Sequence, residues 1–308
     1  MDKLIDLTVY PVKMTLKILL QDKTTKQNII WATDAYKDSI GCREIDQIEM
    51  SHLIGMDPIL LQPRIRKALE DQQERTRKKA EVFTPVWICN QMNNHLDEEW
   101  FGRKDVFNQE LDKSWKTKEE PISLPEGKTW QQYVDSRRLE ITCGEAPYIV
   151  SRYDASTGEM IEPLKKRIGL LDRKLRIVNE NSGDYEEWLK WMLRAFQSCY
   201  GFEYQGDSLL IARINLIMTF YDYFVDRWEK EPEIKVLRQF ANVISWNLWQ
   251  MDGFTDAVPL GKPQETEHQI DMFEFLGEDD PLEEREAPLC KIYDWRKDRS
   301  VVYKALKG

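Results

Sequence analysis

The chain is poor in the residues that metal and triad chemistry most often use. Its 308 residues include only three histidines, His52, His95 and His268, far from one another and from any cysteine cluster. That argues against a zinc centre and against a histidine-based catalytic triad, and no metal is expected. The five cysteines (Cys42, Cys89, Cys143, Cys199 and Cys290) are scattered and form no CxxC pair. With no secretory leader read at the N-terminus, the expectation is reduced thiols and a cytoplasmic protein. No apolar run approaches the roughly 18 residues of a membrane span, so no membrane partner is expected. The glycine-rich fingerprints are missing too. Without GxGxxG nothing supports a nicotinamide cofactor, and without a P-loop ATP hydrolysis of that type is not expected. No nuclease pattern of the PD-(D/E)xK kind and no internal repeat stands out.

What is present is a globular composition, 42% hydrophobic and 32% charged, in a chain long enough for one large domain or two modest ones. The net charge of −10 argues against a basic nucleic-acid coat but leaves room for a local basic face. Residues 59–80 read as a helix with Pro63 in its first turn. This segment carries Arg75, Arg77, Lys78 and Lys79, the best basic cluster in an acidic protein. It reads as a solvated helix face or, in the sharper reading, as a phosphate contact. Ile29–Thr33 reads as a strand or short core segment. Thr84 followed by Pro85 reads as a helix cap with proline at the first helical position, whose free N–H groups suit an anion.

The central stretch is Arg138–Ile149. Leu139-Glu140-Ile141 reads as the end of a short strand, and Thr142-Cys143-Gly144-Glu145 as a tight turn. Such a turn is how a nucleotide-type cofactor loop looks after a first parallel strand. Two later stretches repeat the theme. Gly201–Asp207 reads as a strand ending in Glu203, running into an apolar helix over 208–228. Asn242–Leu248 reads as a third strand, followed by a turn holding Asp252. Before them, Tyr185–Tyr200 reads as a helix with Trp188, Met192, Ala195, Phe196 and Cys199 on one face, a spacing that most often means core packing. Residues 263–288 are acidic and read as an exposed loop. Residues 290–303 read as a strand or a hairpin.

Three strand-end acids in order, preceded by Phe83-Thr84-Pro85, form a constellation. By it the sequence resembles the adenine-N6 DNA methyltransferases of restriction-modification systems, over roughly residues 75–255. The likeness is nearest to the chains called restriction endonuclease subunit M. The resemblance implies an α/β, Rossmann-like S-adenosylmethionine-dependent methyltransferase domain over 81–308 with a mostly helical N-terminal extension over 1–80. It implies that Phe83, Thr84 and Pro85 bind the methionine carboxylate of S-adenosylmethionine and that Glu140 binds its amino group. Thr142, Cys143 and Gly144 would form the loop that approaches the cofactor. Glu203, with Tyr204 beside it, would take the ribose hydroxyls, and Asp252 the adenine ring. Gly201, Glu203, Ala212, Arg213, Asn215 and Leu216 match the family's second motif. DNA is the implied partner.

The departures are specific. Ala146-Pro147 stand where the family has slimmer loop residues. Glu140 and Glu203 are 63 positions apart, against about 20 in a minimal dinucleotide unit, which predicts an insertion over about 150–185. The catalytic tetrapeptide (N/D/S)-P-P-(Y/F) occurs nowhere, and the nearest stretch is Asp279-Asp280-Pro281-Leu282. The catalytic residues are therefore unassigned, and a partner subunit or a C-terminal half carrying that motif is expected. Two alternatives stay open. One is a non-catalytic structural or DNA- or partner-binding subunit derived from such an enzyme. The other is an α/β protein using another nucleotide cofactor.

Overall fold

The structure is a computed structural model that describes residues 4–56, 58–59, 61–66, 84–263 and 286–307. It has mixed helix and strand content with a parallel sheet at its centre, compatible with an α/β fold. The N-terminal part contributes α1 (Val12–Leu19), α2 (Lys37–Ile40) and α3 (Met50–Ile54). Helix α4 (Val86–Phe101) leads to an antiparallel hairpin of β1 (Asn108–Leu111) and β2 (Ser114–Thr117), then to α5 (Trp130–Asp135). The sheet and its crossovers follow as β3 (Arg138–Glu140), α6 (Leu170–Asn181), α7 (Tyr185–Gln197) and β4 (Cys199–Glu203). Helices α8 (Gly206–Trp228) and α9 (Ile234–Asn247) then lead to β5 (Leu248–Gln250). The remaining strands are the short parallel pair β6 (Lys262–Pro263) and β7 (Glu286–Ala287), and the hairpin β8 (Lys291–Asp294) and β9 (Arg299–Val302).

Strands β3, β4 and β5 lie side by side in chain order, all parallel. A parallel sheet has to be covered on both faces, and side-chain alternation arranges this here. Cys199 and Leu248 point into the main core with the helices. Tyr200, Phe202, Trp249 and Met251 point the other way, onto Cys290, Ile292 and Tyr303 of the C-terminal hairpin region. The register sets Glu140 opposite Gly201 and Glu203 opposite Gln250, so both acids sit at carboxyl ends of neighbouring strands.

The main core is aromatic. The rings of Phe220 in α8 and Phe240 in α9 stack at 3.7 Å, and Trp188, Phe196 and Phe224 meet them edge-on or tilted. Rings like these account for much of the apolar stabilisation, about 1.5–3 kcal/mol for each fully buried side chain. Contrary to the reading that no apolar run approaches a membrane span, helix α8 is long and apolar enough to cross a membrane by length and composition, and 78% of that window is buried inside the protein. The N-terminal residues share this core. Leu16 and Leu19 of α1 and the fully buried Trp31 belong to the same cluster as α8 and α9. The Gln250 amide holds Ile30 by both backbone groups, accepting its N–H and donating to its carbonyl, each at 2.9 Å. At Gly206 a Cβ would stand 1.9 Å from the Ile30 carbonyl oxygen, so glycine is what lets this segment cross the start of α8.

Several sequence expectations change. Of the two readings of Ile29–Thr33, the structure shows the core segment, with an isolated bridge from Ile30 to Gln47. The third strand does not begin at Asn242: α9 runs to Asn247, and only Leu248–Gln250 is extended. Short β-branched runs do not separate strand from buried helix. Here Leu237, Phe240, Ala241 and Ile244 recur at helical spacing on the buried face. The segment expected to hold an insertion supplies α6, in which every residue from Leu170 to Val178 is buried, Arg173, Lys174 and Arg176 included. Of the helix expected over 59–80, the described part shows only a 3-10 turn at Arg64–Arg66. Its basic cluster lies outside the described residues, as do Phe83 and Asp279-Asp280-Pro281-Leu282.

Candidate cofactor site

The carboxyl ends of the three parallel strands gather most of the residues singled out in the sequence. The loop after β3 turns by three left-handed residues in alternation, Thr142 (φ 48°), Gly144 (φ 53°) and Ala146 (φ 64°). It is pinned to the neighbouring strand where the Cys143 N–H donates to the Phe202 carbonyl at 2.8 Å. A Cβ on Gly144 would meet nothing within 4 Å, so glycine is needed there for its positive φ and not for space. Ala146, standing where the resembled family is slimmer, is fully buried and still takes the left-handed path. That conformation costs a non-glycine residue about 1–2 kcal/mol. The backbone thus follows the glycine route, and strain of this kind gathers where a local conformation is functionally constrained.

Glu140 ends β3. Its carboxylate, 8% exposed, accepts the Tyr148 N–H at 3.3 Å and the Ile149 N–H at 3.1 Å, which closes the loop back on the strand. Desolvation pushes its pKa up to about 8 against these two hydrogen bonds, and the nearby charge of Glu203 raises it further. Glu203 ends β4. One oxygen accepts the Gly144 N–H at 2.8 Å; the other accepts the N–H groups of Tyr204 and Gln205 at 2.9 and 3.1 Å. It therefore ties the two loops together. Tyr204 is half-buried, with its phenol pushed up to about 12 by burial and by the charges of Asp252 and Glu44. Asp252, beyond β5, accepts the Phe254 N–H at 2.8 Å and so organises its own turn.

Thr84 and Pro85 reach this end of the sheet by another route than the one expected. Helix α4 starts at Val86 with Pro85 as its N-cap residue, and no side chain caps it. The Thr84 side chain is instead hydrogen-bonded to Tyr148, whose phenol also meets the Cys89 thiol of the first turn. Proline at the cap leaves Thr84 one position too early to reach the first free N–H groups. The first turn of α4 and the Glu140 loop are nevertheless in contact, and Val86, Cys89 and Tyr148 share one apolar cluster.

Sequence reasoning missed three supporting groups. The Asn93 amide donates to the carbonyls of Tyr148 and Ile168, both at 3.0 Å. Glu145 accepts the Arg64 N–H and the Tyr153 hydroxyl, each at 2.6 Å. Asn215, named only as a motif match, donates to the Glu145 carbonyl and to Tyr153. None carries a local sequence signal, because each acts on a partner more than 50 positions away along the chain or on a loop placed by the fold.

Among the described residues these strand ends are acidic: Glu203 lies near Glu140, and Asp252 and Glu44 lie near Tyr204. Such a surface suits a ligand carrying positive charge. Among the described residues no group of three His, Cys, Asp or Glu side chains is placed to hold a metal ion. No family model, curated protein or solved structure matches the chain.

Proposed function

We propose that this chain is the S-adenosylmethionine-binding part of a DNA adenine-N6 methyltransferase of a restriction-modification or related defence system, acting in the cytoplasm. The observation that carries the reading is the pair of buried acids at adjacent parallel strand ends, Glu140 and Glu203, joined through Gly144, with Asp252 past the third strand. A cleft beyond the carboxyl ends of parallel strands is the usual place for a nucleoside cofactor in a Rossmann-like domain. In this reading Glu140 takes the cofactor's ammonium group, Glu203 its ribose hydroxyls and Asp252 its adenine ring. The segment at Thr84 and the first turn of α4 face its carboxylate. The bound cofactor would supply a methyl group on a sulfonium, which the target amine attacks directly. The protein's share is orientation and exclusion of water. The target adenine has to leave the duplex to be reached, and the tetrapeptide that would grip it has to come from a partner subunit or another chain segment.

Glu203→Ala should weaken S-adenosylmethionine binding by about 1–3 kcal/mol through lost charged hydrogen bonds, and Asp252→Ala should weaken it less. Titration calorimetry on the folded variants decides this; unchanged affinity for Glu203→Ala sinks its assignment. DNA binding, if the basic cluster carries it, falls less steeply with salt when Arg75, Arg77, Lys78 and Lys79 are neutralised together. An unchanged slope of affinity against salt makes that cluster a solvated surface only.

One observation favours a second reading, a non-catalytic subunit derived from such an enzyme. Both oxygens of Glu203 are already occupied by backbone N–H groups, including that of Gly144. A ribose could take its place there only if the loop lets go. Cofactor binding that yields no methyl transfer even with the partner subunit present would establish this reading.

A further inference from the structure

Glu140 is in an unusual position for a carboxylate. It is 92% removed from solvent by its 8% exposure, and its only described hydrogen bonds are the two backbone N–H groups, at 3.1 and 3.3 Å. Among the described residues, the groups facing it bring no positive charge. They are Glu203 from β4, Cys89 from α4, and Cys143 and Tyr148 from its own loop. Arg213 of α8, the buried cation whose charge reaches Cys143 of the same loop, is directed at backbone carbonyls of Leu19, Gln21, Ser245 and Leu248. A buried charge without a counter-ion is costly, and a carboxyl group so placed takes up a proton instead.

We propose that Glu140 is the protonated acid in the free chain, and that a cationic amine docking at the carboxyl ends of the sheet displaces this proton, coupling ligand binding to proton release. The inference rests on the cofactor reading above and adds the protonation state through which it works. The balance is simple. The free acid and an ammonium ligand become a carboxylate–ammonium pair, and one proton passes to the solvent. The shift of Glu140 to about 8 agrees with this geometry. By linkage, affinity then rises about tenfold per pH unit between pH 6 and 7. The rise levels near pH 8, where Glu140 ionises unaided and an α-amino group, with its pKa of about 7.7–8.0, begins to lose its own proton.

The test is calorimetric titration of the whole chain with S-adenosylmethionine at pH 6.5, in two buffers of different ionisation enthalpy. The expected result is release of about one proton by the wild type and none by Glu140→Gln, whose affinity is also flat between pH 6 and 7. A binding heat independent of buffer overturns the coupling and leaves the cofactor reading standing. Proton release that persists in Glu140→Gln overturns the assignment to this residue. No binding at any pH from about 6 to 9 overturns the cofactor reading and the coupling with it. A second measurement needs neither variant nor ligand. With 13C-labelled glutamate carboxyls, one resonance of the free protein should titrate near pH 8. Midpoints all below about 5.5, within the ordinary glutamate range, overturn the proposal.

Discussion

Asp97→Ala should lower the free energy of unfolding by about 3–5 kcal/mol, the usual cost of breaking a fully buried ion pair on one side. Asp97 in α4 and Arg173 in α6 are both 1% exposed and bonded to each other. Arg173 also donates to Asn90 and Asn94 at 2.8 Å, and the Tyr133 hydroxyl donates to Asp97 at 2.8 Å. The guanidinium lies 5.4 Å from the centre of the Phe107 ring. Removing Asp97 leaves a full positive charge in a dry interior with only amide oxygens to meet it. Replacing both partners, as Asp97→Leu with Arg173→Met, removes the charge with its counter-charge and should recover most of the loss. Urea unfolding followed by circular dichroism measures both variants. A single-variant loss below about 1 kcal/mol would be the scale of an exposed pair and would contradict the burial of this network.

Arg213→Ala should be at least as damaging, about 4 kcal/mol or more, from unpaired buried carbonyls and the cavity left behind. Arg213 is fully buried on α8. Its guanidinium donates to the Leu19 and Gln21 carbonyls beyond α1, and to those of Ser245 and Leu248 at the junction of α9 and β5. These are the orphan carbonyls that any helix end must satisfy. A single side chain does so for two helix ends and fixes the start of β5 as well. Burial pulls its pKa down to about 10, yet it stays charged at neutral pH. Arg213→Lys keeps the charge but replaces a planar fork with a point donor, so it should rescue little. The same unfolding experiment reads both, and full rescue by lysine would show that charge, and not the fork, is what the junction needs.

Much of the architecture was legible in the chain because it depends on local periodicity. Trp188, Met192, Ala195 and Phe196 recur at helical spacing and form the buried face of α7. The apolar run after Gly206 is α8. The alternation near the C-terminus is the β8–β9 hairpin. The acids Glu140 and Glu203 read correctly as strand ends, since each follows a short apolar run and precedes a turn. The misreading of Val243-Ile244 as strand has the opposite cause, for a short β-branched run fits either element until its neighbours are known.

Composition and periodicity by themselves determined the helices with a clear apolar face, α7 and α8, where the two acid-ended strands stop and that the loop after Glu140 must turn tightly. Only the tertiary structure decided what those features face. Leu-Asp-Arg-Lys-Leu-Arg of α6 is dense in charge. It is buried because Asp97, Asn90, Asn94, Ser136 and Ser198 are brought from distant positions, and Glu180 from the next turn of the same helix, to receive its cations. Glu140 reads as a strand-end acid. In the coupling proposed above it holds a proton because the fold buries it away from water, with the charge of Glu203 on the neighbouring strand as the smaller contribution. Local sequence carries the free energy of helices and turns, but burial of charge is a property of the surroundings, and these are assembled from residues far apart in the chain.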